Sequence, residues 1–584
     1  LLASRADDSG LRREELVKKY EKKPRYSWIL LDDLLGKYPE PLSDMVTKPD
    51  DFTVRMPWGY CGNEIWNESR KAETKILTAE KLAAIESISG GKSYLDDIDI
   101  SWKSLLLAQH HDIQICGLLP ESRKLIPESL ISSQKVIDQS MRFFSENMHG
   151  EGLRQVTVFN PLSWKQSRWI FADIVTSPEN ERYFVAKCGN RQIPARIISA
   201  NRNSSGGVYN ARIAFKAELD PLSIMSFSIL PAGSSSGNKK GKIEYDEKDL
   251  KAITPFYEVR LSEKGGVSYI KDISTGRLIT GGKERAGYFE GTIDGQNCQS
   301  TGRWIVEKTG EVTPWIRLVE YGFISSIPYE FEMVLYEDMP RIDCRVKFDF
   351  NNQKIGMLSD DLRDSHSPFV HEEKLRFKLF HTFDASAAGI RDLPFAIAET
   401  HNKYVEGNYW SALSDGRSGI AFFNRGNMGT IREADNSFSI PLAYAMYYIW
   451  GTRMLTGSFS YEFSILPFDG NWREADLHRK ALEYAFDAPS FESKPNNGKL
   501  GNIVSCFNID AANDILLTAM YPEKDVVYAR FFKYDEINPV SSLKFGCKDF
   551  DITEIDLDGN FMKDIDGLID FNPWEIKTIC IKNK

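Results

Sequence analysis

The rhythm of hydrophobic and polar positions changes three times along the chain. Residues 11–21 (LRREELVKKYE) are charged and helix-compatible, and residues 26–35 (YSWILLDDLL) read as a short apolar strand followed by a turn of helix. That order suits the tail of an α/β domain. From Asn63 the spacing becomes helical: Ile65, Ala72, Ile76, Ala79 and Ala83 fall on one face, and Ser89-Gly90-Gly91 closes the segment. A second helix is predicted from Ile98 to Cys116, with Gly117 as its C-cap and Pro120 beyond it. A third is predicted from Pro127 to Met148, which completes a three-helix bundle. After Gly150 the pattern is β. VTVFNPLSW (156–164) is a strand broken by Asn-Pro, and 257–279 (YEVRLSEKGGVSYIKDISTGRLI) reads as strand, Gly-Gly turn, strand, turn, strand. Residues 233–242 (GSSSGNKKGK) form a link or hairpin tip. One helix beginning at Trp472 interrupts the strands, which then continue to the C-terminus.

Composition adjusts this picture little. A chain of 584 residues holds about four domains on length alone. Its net charge of −10 argues against nucleic acid and anionic membrane as partners, since phosphate binding needs a basic surface. The 12 Trp, 24 Tyr and 34 Phe suit the C–H faces of sugars, and equally suit the cores of β-sandwiches. Eight cysteines without a CxxC pair read as mostly free thiols. No apolar run reaches the length of a membrane span. The chain opens LLASRADDSG, without an initiator Met or a signal-like segment, so it is expected to begin within a longer protein.

Three stretches carry candidate chemistry. In AQHHDIQICG, two of only eight histidines precede an aspartate. On the predicted helix His111 shares a stripe with Leu107 and Ser104, while Asp112 sits about 100° around. His110 and His111 cannot face one point, so at most one is a metal ligand. A neutral imidazole suits Zn²⁺, and the carboxylate beside it could accept sugar hydroxyls. The alternative is a solvated pair at a helix end. Asp7 and Asp8 follow an apolar stretch, where α/β folds place their chemistry, or they cap an exposed turn. Trp58 and Tyr60 could wall a sugar site, or act as a hydrophobic staple for the helix that follows.

Six stretches in order resemble glycoside hydrolase family 38, the retaining α-mannosidases. WGYCGNEIWNESRKAE resembles that family's bundle-opening segment, and LLLAQHHDIQICG its Q-H-H-D block. VTVFNPLSW is similar to the start of its β region. The stretch ending DISTGR looks like its D-x-x-T-G-R turn. WSALSDGRSGIAFFNRGNMG looks like its D-x-x-x-G-x-A-x-x-N pattern, and FNPWEIKTICI its closing strand. The resemblance implies a multidomain, mainly β chain. The expected parts are a remnant of the α/β catalytic domain (1–50), a three-helix bundle (51–150), a small β-sandwich (151–245), a large supersandwich (246–490) and a C-terminal β-sandwich (491–584).

It further implies His111 as a Zn²⁺ ligand and Asp112 as a carboxylate on sugar hydroxyls. Asp8 is implied as the acid/base, with Asp7 as second choice, and mannose-containing glycans as substrate. In such a reaction one carboxylate attacks the anomeric carbon and a second protonates the leaving oxygen. Outside His110-His111-Asp112, the family's H-x-D zinc pair has no counterpart at the other six histidines of this sequence. Nucleophile and remaining ligands are therefore expected on an α/β domain missing from this chain, and the chain alone is expected to be inactive. Members of the family often form homo-oligomers. The alternative is a non-catalytic module that binds carbohydrate or a protein partner.

Overall fold

The structure is a computed structural model. It describes residues 14–25, 31–37, 48, 50, 64–110, 122–176, 181–233, 241–307, 313–357, 370–384, 386–445, 454–505, 507–546 and 550–583. The chain divides into two compact units, Leu1–Val54 and Arg55–Lys584. The described part of the first comprises two short helices, α1 (Glu14–Glu21) and α2 (Leu31–Lys37). The apolar stretch 26–30, expected as a strand, lies outside the described residues.

The second unit opens with the expected bundle. Helix α3 spans Glu64–Ile88, and Ala72, Ile76, Ala79 and Ala83 are all buried, as their spacing required. It stops where Gly90 takes a left-handed conformation (φ 85°) and the Ser89 hydroxyl donates to the Ile85 carbonyl. Helix α4 covers Leu95–Ala108 rather than 98–116. It starts earlier than expected, and Gln109 is its C-cap. The apolar run 105–108 suggested a continuing buried face. Only Leu105 and Ala108 are buried, whereas Leu106 and Leu107 are 59% and 52% exposed. Helix α5 spans Leu125–Asn147 and approaches α4 through small residues, with the Ser101 hydroxyl donating to the Ser129 carbonyl at 2.6 Å.

The β region is mainly antiparallel sandwich, as the sequence implied. A first sandwich uses the strands between Arg154 and Ala232 and encloses Val156, Phe184, Ile213 and Phe227. Its strand Arg154–Phe159 also pairs with Ser490–Ser493, far downstream. A larger structure follows from Glu244 to Asp469. The strand Gln296–Glu307 pairs through residues 296–299 with Gly287–Ile293 and through residues 300–307 with Trp315–Ile324, carrying the chain from one sheet to the other. Strict alternation in Ile327–Tyr336 turns Tyr329, Phe331 and Met333 inward, where Phe289, Phe348 and Phe377 meet them. Helix α6 (Leu477–Ala485) follows a turn that begins at Trp472. The last strands, between Asn508 and Asn583, form a five-stranded and a three-stranded sheet. Their apolar residues continue into the helical bundle: Phe531 and Ile579 share one core with Leu82 and Phe144. The four described cysteines, Cys188, Cys298, Cys344 and Cys580, are free. Among the described residues no helix is long and apolar enough to cross a membrane.

Several of the motifs turn out to build turns. In D-x-x-T-G-R, Asp272 Oδ1 accepts from the Ser274 and Thr275 hydroxyls and from the Thr275 N–H, at 2.6–2.8 Å. Gly276 follows at φ 69°, with open space where a Cβ would sit. Gly276→Ala is therefore expected to cost about 1–2 kcal/mol through backbone strain alone, read as a lowered midpoint of chemical denaturation. The next motif residue, Arg277, reaches across to Asp415, the first residue of D-x-x-x-G, at 2.9 Å. Burial would raise the Asp415 carboxyl, but Arg277 and the N–H groups of Ser418 and Arg417 outweigh it and hold its pKa down at about 2.

Candidate functional site

The residues singled out in the sequence, Asp7, Asp8, Trp58, Tyr60, His111 and Asp112, all lie outside the described residues. The chain is described up to Gln109 and His110, and there it reaches a polar junction. Gln109 Nε2 donates to Glu73 Oε2 at 3.3 Å, and Arg70 Nη1 donates to the same oxygen at 2.9 Å. The Tyr409 hydroxyl lies 3.5 Å from Glu73 Oε1. Glu73 thus ties the end of α4, immediately before His110-His111-Asp112, to α3 and to a loop of the large sandwich. Helical spacing explains the pair on α3, since Arg70 and Glu73 are one turn apart and neighbours on its surface.

Behind Tyr409 stands Asp392, a buried carboxylate in the strand Ala388–Leu393. Its oxygens accept from the Tyr409 N–H at 3.0 Å and the Trp410 N–H at 2.9 Å. Burial pushes its pKa up to about 6, against the lowering effect of those hydrogen bonds and of Arg70. Asp392 fixes the loop that presents Asn408 and Tyr409. Nothing in the helical or strand periodicity marked it; the one signal was a charged pair, Arg391-Asp392, inside the apolar strand AGIRDL.

Two cavities flank this junction and share Arg70, Asn408 and Tyr409. One, of about 470 Å³, is lined by charged side chains that already have partners: Lys71 with Glu68 at 3.0 Å, Arg425 with Asp487 at 2.9 Å, Lys75 with Gln134 at 2.7 Å. The other, of about 300 Å³, has aromatic walls and includes Trp164 and His478. A third cavity, of about 670 Å³, opens elsewhere on the large sandwich beside His381 and His401. Its acids are neutralised locally: Glu433 by Arg376 at 2.9 Å and Lys378 at 3.0 Å, Asp435 by Lys378 at 2.7 Å. Burial holds the His381 pKa down at about 4, with Arg432 adding to the effect. Among the described residues no three His, Cys, Asp or Glu side chains converge to hold a metal ion. These residues therefore do not fit Zn²⁺ by themselves.

No family model and no curated protein matches the sequence. Two solved structures match the fold over 96% of this chain. One is a protein in the glycosyl hydrolase family 38 from Enterococcus faecalis, with a TM-score of 0.75 and 13% sequence identity, of which 75% is covered. The other is an alpha-mannosidase from Enterococcus faecalis V583, with a TM-score of 0.71 and 13% identity, of which 73% is covered. The chain has their fold. The resemblance read from six motifs is thus matched by a likeness of architecture across bundle and sandwiches. At this identity the likeness concerns the fold.

Proposed function

We propose that this chain is the bundle and β-sandwich portion of a retaining, zinc-dependent α-mannosidase that removes terminal α-mannosyl groups from glycans. The observation that carries the reading is the match of fold, over 96% of the chain, to a protein known as an alpha-mannosidase. The six ordered motifs support it. In this reading His111 supplies one ligand to Zn²⁺ and Asp112 binds mannose hydroxyls. Asp8, or failing that Asp7, serves as acid/base, and Trp58 and Tyr60 wall the substrate. Zinc, when bound, supplies Lewis acidity toward the sugar. The role of the described junction is mechanical: Glu73 anchors Gln109 and so fixes where the next residues start.

Outside His110-His111-Asp112 the sequence has no H-x-D pair. The nucleophile and further ligands are then supplied by an α/β domain outside this chain, and the chain alone does not turn over substrate, because loss of a nucleophile costs many orders of magnitude. Mixing with a separately expressed α/β half is expected to restore hydrolysis of an aryl α-mannoside. A second reading, a non-catalytic module that binds a glycan or a protein, is favoured by the exposed Leu106 and Leu107 on α4. Chelator-insensitive glycan binding by the chain, with no turnover in the mixture, would select it over the first.

A further inference from the structure

The aromatic cavity of about 300 Å³ lies between α3, the hairpin at residues 388–400, α6 and the C-terminal sheets. Its volume is at the small end of ligand pockets, roughly 300–1,000 Å³, and so suits one ring rather than a chain of them. Its walls combine flat apolar faces with planar polar groups.

The rim residue Phe395 is the first unusual feature. Leu393 pairs with Ala396, so Pro394 and Phe395 alone make the turn, and Phe395 has φ 68°. Glycine or asparagine normally takes that position, because a Cβ is strained there. The phenylalanine is also 54% exposed, with its ring edge-on to Phe532 at 5.5 Å between centroids. An aromatic ring held at a conformational cost and half in solvent gains little from folding. It does place an apolar face at the mouth of the cavity.

His478 is the second. Trp410 Nε1 donates to His478 Nδ1 at 3.1 Å, which puts the ring's proton on Nε2. Burial, and secondarily Arg479, hold the pKa down at about 3, so the ring stays neutral. The neighbouring charges do not compete for it: Lys81 donates to the Pro161 carbonyl at 2.8 Å, and Glu73 is engaged by Arg70 and Gln109. His478 thus keeps an Nε2–H donor on a ring that lines the cavity. The Asn408 side-chain amide has no hydrogen-bond partner among the described residues, and it lines the same space. A fixed imidazole donor, an uncommitted amide and aromatic faces are what hydroxyl groups and C–H faces of a pyranose require.

We propose that this cavity binds a single hexopyranose ring, stacked on Phe395 and hydrogen-bonded by His478 and Asn408. Only the choice of mannose as first probe rests on the proposed function. The test is binding of methyl α-D-mannopyranoside, with methyl α-D-glucopyranoside beside it, to the full chain. It would be followed by saturation-transfer NMR and calorimetry, with a chelator present throughout. Phe395→Gly relieves the left-handed strain while removing the ring. It is expected to leave the melting temperature unchanged and to weaken binding at least tenfold. Asn408→Ala is expected to weaken it severalfold. Binding of neither sugar, or binding unchanged in a folded Phe395→Gly chain, would overturn the proposal. Because no turnover is read, that failure would leave the mannosidase reading to its own test.

Discussion

Replacing Phe531 by alanine is expected to destabilise the chain by about 3–5 kcal/mol and to loosen the helices together with the C-terminal strands. Phe531 is fully buried and meets Phe545 edge-on at 5.5 Å. The cost of such a truncation combines lost transfer energy with the cavity left behind, and a site packed from several sides collapses poorly. Here the surroundings come from both ends of the sequence. Leu82 of α3 and Phe144 of α5 belong to the same core as Phe531, and α3 lies against the strand Ile515–Glu523. Hydrogen exchange in the variant should therefore accelerate in α3 and α5 as well as in the C-terminal sheets. Acceleration confined to the sheets would show that the bundle holds its own core.

The second large effect is a pH dependence at Asp392. Its pKa stands at about 6 in the folded chain against an ordinary 3.8, chiefly because burial penalises the charge. The folded state thus holds this proton more tightly than the unfolded state does. The resulting stability is fully present below about pH 4 and is lost as the pH rises through 6. The shift corresponds to about 3 kcal/mol. Asn at this position keeps one acceptor for the Tyr409 and Trp410 N–H groups and cannot ionise. Between pH 4 and pH 7 the stability of Asp392→Asn should therefore gain about 3 kcal/mol on the parent, measured by urea denaturation of both. A difference that stays constant across this range would mean that Asp392 is ionised throughout.

Periodicity made the helices and many of the strands legible, because burial enforces it. Ala72, Ile76, Ala79 and Ala83 line the core side of α3, and the alternation in Ile327–Tyr336 is complete. The end of α4 was not legible. Leu106 and Leu107 look like a core stripe in sequence yet face solvent, and Gln109 caps the helix where the apolar run suggested another turn. The motifs were recognisable for a structural reason: Asp272, Gly276, Arg277 and Asp415 build and cross-link turns whose chemistry tolerates few substitutes. The cavity was hidden because its members come from distant stretches of the chain. Trp164, Asp392, Asn408, His478 and Phe532 have no common spacing, and only the folded sheets bring them to one place.

The measurement that bears most directly on the account is zinc content of the purified 584-residue chain by elemental analysis, made alongside hydrolysis of an aryl α-mannoside with and without added Zn²⁺. Less than one tightly bound zinc per chain and no turnover under either condition are expected. Stoichiometric zinc with chelator-sensitive turnover would contradict that expectation, and would mean that residues of this chain complete the site that His111 is proposed to join.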